Sequence, residues 1–169
     1  MNSGYLARGE LKKGTVPCTP RGCLHLIRQS GRKVEGSRAV VLGRSKIVGG
    51  AMAELLLWHN ATVTVCHSKT VIVQDIVREA DILVVGIGSP NHVEADWIKP
   101  RAVVIDCGIN VILDSSRRSG QRIVGDVDFE GAKKVASYIT PVPGGVGPMT
   151  VAMLLKNTLE GAMSTAKPL

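Results

Sequence analysis

Apolar residues follow two rhythms along this chain. Four short runs rich in Val and Ile, at residues 39–42, 62–66, 82–85 and 103–106, are bounded by glycine, charged or polar residues. Runs of this length are too short for a helix and predict four buried strands, as in a parallel sheet. A fifth run, at residues 136–140, is shorter.

Between the runs, apolar positions recur at intervals of three and four, the helical period. The first helix is predicted to begin at Thr19-Pro20, a capping residue followed by proline in the first turn, and to close at Gly31, with Leu24 and Ile27 on its buried side. Ile47, Val48, Ala51, Met52, Leu55 and Leu56 form the stripe of a second helix, and a third follows Thr70 and ends near Arg78. Toward the C-terminus Val151, Leu154, Leu155, Leu159 and Ala162 give another helix an apolar side to bury, with Pro148 in its first turn. The polar stretch at residues 114–122 reads as a surface loop. Strands alternating with helices predict an α/β domain: a doubly wound, mostly parallel sheet with helices on both faces.

Composition narrows the options. At 169 residues and 44% hydrophobic content the chain suits one domain. Only 3% of its residues are aromatic, which argues against a module that stacks bases on exposed rings. The net charge of +7 would attract a polyanion, yet Lys and Arg are scattered, with only short pairs such as Lys12-Lys13, so no nucleic-acid partner is expected. Cys18, Cys23, Cys66 and Cys107 lack disulfide-scaffold or zinc spacing, and reduced thiols with no metal are expected. His25, His59 and His92 read as surface or packing residues, and Cys107 as a small buried residue rather than a reactive thiol. No apolar run is long enough to span a membrane, and no signal-peptide core opens the chain. These features predict a soluble protein of the cytoplasm, with a mitochondrial location left open.

The strongest local signal is Leu42-Gly43-Arg44-Ser45-Lys46-Ile47-Val48-Gly49-Gly50, a buried strand entering a glycine turn and then a helix. That order lets backbone approach a pyrophosphate at a helix N-terminus. Ser45 replaces the second glycine of the usual fingerprint, so the motif by itself is weak. The next strand ends in His67-Ser68-Lys69 with no carboxylate to bind a ribose 2′-hydroxyl. Arg44, Ser68 and Lys69 suit a 2′-phosphate instead, which selects NADP over NAD. Gly86-Ile87-Gly88-Ser89 and Cys107-Gly108-Ile109-Asn110 follow two other strands and belong to the same ligand edge.

Pro17-Cys18-Thr19-Pro20-Arg21-Gly22, the glycine turn, Asp106-Cys107-Gly108-Ile109-Asn110, Gly125-Asp126-Val127 and the proline-glycine run at residues 140–150 occur in an order that resembles the methylenetetrahydrofolate dehydrogenase/cyclohydrolase family. The resemblance covers nearly the whole chain. It implies a Rossmann-like domain at residues 17–169 preceded by a linker at residues 1–16, and a hydride transfer to NAD(P) followed by hydration of a methenyl folate. By position it implies that Gly43, Arg44 and Ser45 line the cofactor phosphates, that Ser68 meets the 2′-phosphate, and that Ile109 and Thr150 lie near the nicotinamide. Pro143, Gly144, Gly145, Val146, Gly147 and Pro148 would form the wall facing a tetrahydrofolate derivative. No catalytic residue is assigned in this chain. The family's Tyr and Lys pair is expected on an N-terminal domain ahead of Met1, and a homodimer is implied as well. Two other readings stand beside this one: a non-catalytic NADP-binding or interaction module, and a nucleic-acid binder resting on charge alone.

Overall fold

The computed structural model describes residues 2–165. Met1 and residues 166–169 of the expected domain lie outside them. Five strands, β1 (Arg38–Leu42), β2 (Thr62–Cys66), β3 (Ile82–Val85), β4 (Val103–Asp106) and β7 (Tyr138–Ile139), form one parallel sheet in the order β2-β1-β3-β4-β7. Strands β5 (Asn110–Leu113) and β6 (Gln121–Val124) pair as a separate antiparallel hairpin.

Alternate residues of the central strands supply two cores, as the twofold period of a strand requires. Ala39, Val41, Ile82, Val84, Val103 and Ile105 face helices α1 (Asn2–Ala7), α2 (Cys18–Gln29), α3 (Gly49–Leu57) and α6 (Val146–Thr165). Val40, Leu42, Leu83, Val85 and Val104 face the other side, covered by α4 (Val73–Arg78), a 3-10 turn at Ala95–Trp97, and α5 (Phe129–Ala132). Helices on both faces are what the two rhythms predicted. Each core holds fully buried aliphatic side chains, such as Ile27 and Met52 on one side and Val77 and Leu83 on the other. Each contributes about 1.5–3 kcal/mol by leaving water. Trp58, half-exposed at the end of α3, covers Gly9 on one face, whereas Trp97 is buried in the other core with its ring edge-on to His92.

Several expectations change. Helix α2 starts at Cys18 after Pro17, so Thr19 lies inside it and caps nothing; its hydroxyl sits 3.1 Å from that of Thr150. Its other end behaves as predicted, with Gly31 at φ +79° just beyond the last turn. Helix α3 starts at Gly49, which leaves Ile47 exposed in the turn before it rather than on the buried stripe. The polar stretch after Asp114 is the tip and return strand of the hairpin. The fifth strand contracts to two residues, and β2, expected to be buried, lies at the sheet's edge with Thr62, Thr64 and Val65 exposed. The largest difference is in α6, where Val151, Leu154, Leu155 and Leu159 point outward while Val146 and Met153 are buried and Met149 packs partly against the core. The anticipated apolar side is therefore present, and a different face makes the contact with α2.

Candidate functional site

Because the five strands run parallel, the turns that leave them gather at one carboxyl edge. The chain leaves β1 for β2 on one side and returns to β3 on the other, so the order reverses between β1 and β3. Such a reversal opens a crevice where ligands bind in open α/β sheets.

Glycine makes that crevice possible. Gly43 has φ +111°, and a Cβ there would collide with the Gly86 carbonyl of the neighbouring turn. A Cβ on Gly49 would collide with the Gly43 carbonyl, so α3 can start directly against the turn. The absence of side chains at these positions lets the two turns and the start of α3 pack backbone against backbone, the close approach on which a dinucleotide turn depends. Arg44, Ser45 and Lys46 are exposed at its rim. The Ser45 hydroxyl accepts from the backbone N–H of Val48 at 3.2 Å and of Gly49 at 3.4 Å, so this side chain also braces the turn.

Ser68 and Lys69 sit exposed at the tip of the turn after β2. The Thr70 hydroxyl closes that turn by accepting from His67 N–H at 3.0 Å, and Thr70 N–H donates to the His67 carbonyl at 2.8 Å. Arg44 and Ser68 therefore belong to adjacent turns of the paired strands β1 and β2. Ile109 is 71% exposed at the turn after β4. Thr150 lies in the first turns of α6, where its hydroxyl donates to the Val146 carbonyl at 3.0 Å and Thr19 can donate to it.

The proline-glycine run divides. Pro143, Gly144, Gly147 and Pro148 are exposed, whereas Gly145 and Val146 are buried beneath them. A Cβ on Gly145 would press on Thr140 and Pro141. Two of the six expected wall residues thus lie buried rather than at the surface.

Asp106 and Asp126 lie within two of the sequence motifs, which assign neither a role. Both are buried at this edge. Asp106 accepts from the backbone N–H groups of Gly108 at 2.8 Å, Asp126 at 3.1 Å and Val127 at 2.9 Å. Its own N–H donates to the buried Thr140 hydroxyl at 2.8 Å, which joins the ends of β4 and β7. Burial pushes the Asp106 carboxyl above its ordinary value, against the three amides that favour its charge. Asp126 accepts from Ile87, Gly88 and Ser89 N–H and from the Asn110 side chain. One signal in the sequence bears on the pair: Gly108 and Gly125 lie where any Cβ would strike the Asp126 and Asp106 carboxylates. Cys107 Sγ is 3.5 Å from Cys23 Sγ, and that contact together with burial pushes the Cys107 thiol well up, as suits a packing residue.

Residues 17–166 match the model of the tetrahydrofolate dehydrogenase/cyclohydrolase NAD(P)-binding domain. The chain belongs to this family. Among its relatives in the tetrahydrofolate dehydrogenase/cyclohydrolase family, the cytoplasmic C-1-tetrahydrofolate synthase of Drosophila melanogaster is 65% identical over 162 residues, which cover 96% of this chain and 17% of that protein. The mitochondrial C-1-tetrahydrofolate synthase of Saccharomyces cerevisiae is 55% identical over 161 residues, 95% of this chain and 16% of that protein. The structure of the Trypanosoma brucei methylenetetrahydrofolate dehydrogenase-cyclohydrolase, solved with NADP cofactor and inhibitor, is similar with a TM-score of 0.90 and 49% identity, covering 98% of this chain and 57% of that one. The chain thus spans under a fifth of these two synthases and just over half of the solved enzyme. Among the described residues, no helix is long and apolar enough to cross a membrane, and no group of His, Cys, Asp and Glu is placed to hold a metal ion.

Proposed function

We propose that this chain is the NADP-binding part of a methylenetetrahydrofolate dehydrogenase/methenyltetrahydrofolate cyclohydrolase of the cytoplasm. The observation that carries the reading is the side-chain-free Gly43 turn packed at the start of α3, with cationic and hydroxyl groups, and no carboxylate, at the tips of the two adjoining turns.

Gly43, Arg44 and Ser45 would receive the cofactor phosphates, and Arg44 with Ser68 the 2′-phosphate. When bound, the dinucleotide supplies the hydride-accepting ring. Hydride transfer asks the protein for orientation and exclusion of water more than for a base. Ile109 and Thr150 would flank that ring, with Thr150 held in place by Thr19 and the Val146 carbonyl. Pro143, Gly144, Gly147 and Pro148 offer side-chain-poor surface to a flat folate ring, and Gly145 and Val146 keep that surface in register.

Methenyl hydration needs proton transfer within hydrogen-bond reach, and we assign it to a catalytic domain that acts with this one. The exposed apolar face of α6, and Val111 and Leu113 on the hairpin, support two macromolecular partners: that domain and a second copy of the chain.

The test is a pair of titrations with NADPH and NADH, followed by assays of methylene oxidation and methenyl hydrolysis. The chain alone is expected to bind NADPH more tightly than NADH and to hydrolyse no methenyl folate. Steady hydrolysis above a denatured control would overturn the division of labour. Tight NADPH binding without turnover, even after a catalytic domain is added, would favour a non-catalytic binding module.

A further inference from the structure

Successive backbone N–H groups at a glycine turn can converge on one point and hold an anion there. In the turn after β3 that point contains a carboxylate of the chain itself. Ile87 N–H donates to Asp126 Oδ2 at 2.7 Å, Gly88 N–H to the same oxygen at 3.0 Å, and Ser89 N–H to Oδ1 at 3.0 Å. The Asn110 side-chain amide donates to Oδ1 at 2.8 Å. Gly88, at φ +70°, provides the left-handed step that lets three consecutive amides face inward. Asp126 is completely buried, and its partners among the described residues are all neutral N–H donors.

This arrangement spans three turns of the ligand edge. Asp126 ties the turn after β3 to Asn110, where the turn after β4 passes into β5, and its own backbone N–H is held by Asp106 at the end of β4. The Gly86 carbonyl at the start of the first turn is the group against which Gly43 lies. A shift of the carboxylate would therefore move the wall that faces the Gly43 turn.

We propose that Asp126 is a positioning residue for the dinucleotide: its carboxylate fills the anion site of the Ile87, Gly88 and Ser89 amides from inside, so that turn serves as a fixed wall closed to phosphate, and the pyrophosphate is directed to the Gly43 turn. The proposal rests on the dinucleotide reading given above. It also assigns different tasks to two glycine turns that look alike in sequence. One receives an anion from outside, and the other carries its own.

Two variants and two probes test it. In the wild-type chain, inorganic phosphate should leave the amide NMR shifts of Ile87, Gly88 and Ser89 unmoved. In Asp126→Ser the emptied site should take phosphate, and those three shifts should move saturably. Asp126→Asn keeps the shape and replaces one acceptor with a donor that faces N–H groups, so its NADPH affinity should fall about tenfold. A purely structural role would lower stability and affinity but would create no phosphate response. The proposal is overturned if phosphate moves these amides in the wild type, if folded Asp126→Ser shows no response, or if Asp126→Asn binds NADPH as the wild type does. Should Asp126→Ser not fold, the wild-type phosphate titration and the Asp126→Asn affinity decide. If the wild type binds no NADPH at all, the dinucleotide reading fails separately, and the phosphate response still decides whether Asp126 fills the site.

Discussion

Asp106 and Asp81 stand at opposite edges of the same sheet and are held in opposite ways. Asp106, at the carboxyl end of β4, is buried and bound by three backbone amides. Asp81, just before β3, lies at the amino edge and is half-exposed; Lys99 Nζ reaches it at 2.7 Å and Arg38 N–H at 3.0 Å. Burial moves the first carboxyl up, whereas the lysine, as the larger influence, moves the second down. The lesson is one of allocation. The carboxyl edge holds its buried acid with backbone dipoles, and Arg44 and Lys69 stand exposed there, while the opposite edge uses an ordinary surface ion pair.

The largest effect should come from Asp106→Ala, which leaves three buried amides without an acceptor. A loss of about 3 kcal/mol is expected in urea unfolding. A loss no greater than that of Asp81→Ala would erase the contrast between the edges.

Next is Arg44→Ala, which should weaken NADPH about tenfold and NADH much less, because only the former carries a 2′-phosphate for the guanidinium. Equal losses in parallel titrations would remove Arg44 from that role.

Asp81→Asn should cost no more than about 1 kcal/mol at neutral pH, as exposed ion pairs usually do. A cost matching Asp106→Ala would show the amino edge to be the more tightly built.

The finest test is the sign of pH dependence. The raised Asp106 contributes stability that is complete below its ordinary value of 3.8 and is lost as pH rises through the folded value. The lowered Asp81 contributes stability that is present above 3.8 and is lost as pH falls through its folded value. Stability differences between wild type and Asp106→Asn should therefore grow toward acid, and those for Asp81→Asn toward neutral pH. Slopes of the same sign would break the comparison.

The strands were legible because runs such as Ile82-Leu83-Val84-Val85 must be buried on both faces, and only a covered parallel sheet does that. The glycine turn was legible for a related reason: a strand, a glycine turn and a helix are contiguous, so local order alone marks where β1 passes into α3. The hairpin was not, because Val111 and Leu113 face outward and its return strand opens with the polar Gln121 and Arg122. Helix α6 shows what periodicity leaves open. Spacing identifies an apolar face, yet the choice between that face and the one bearing Met153 and Asn157 depends on α2, whose Arg21 bonds Asn157 and Glu160 from far along the chain. The two aspartates stayed hidden because their partners are backbone amides, which every residue type carries. Only the flanking glycines register the space they occupy.

The placement of the two tryptophans has a practical side. Trp58 is 43% exposed on one face of the sheet and Trp97 8% exposed on the other, so each layer contains its own intrinsic fluorophore. Emission from Trp97 in a Trp58→Phe chain should be blue-shifted, and emission from Trp58 in a Trp97→Phe chain should be redder. Followed through a denaturation, the two signals report whether the layers come apart together or one sheds its helices first.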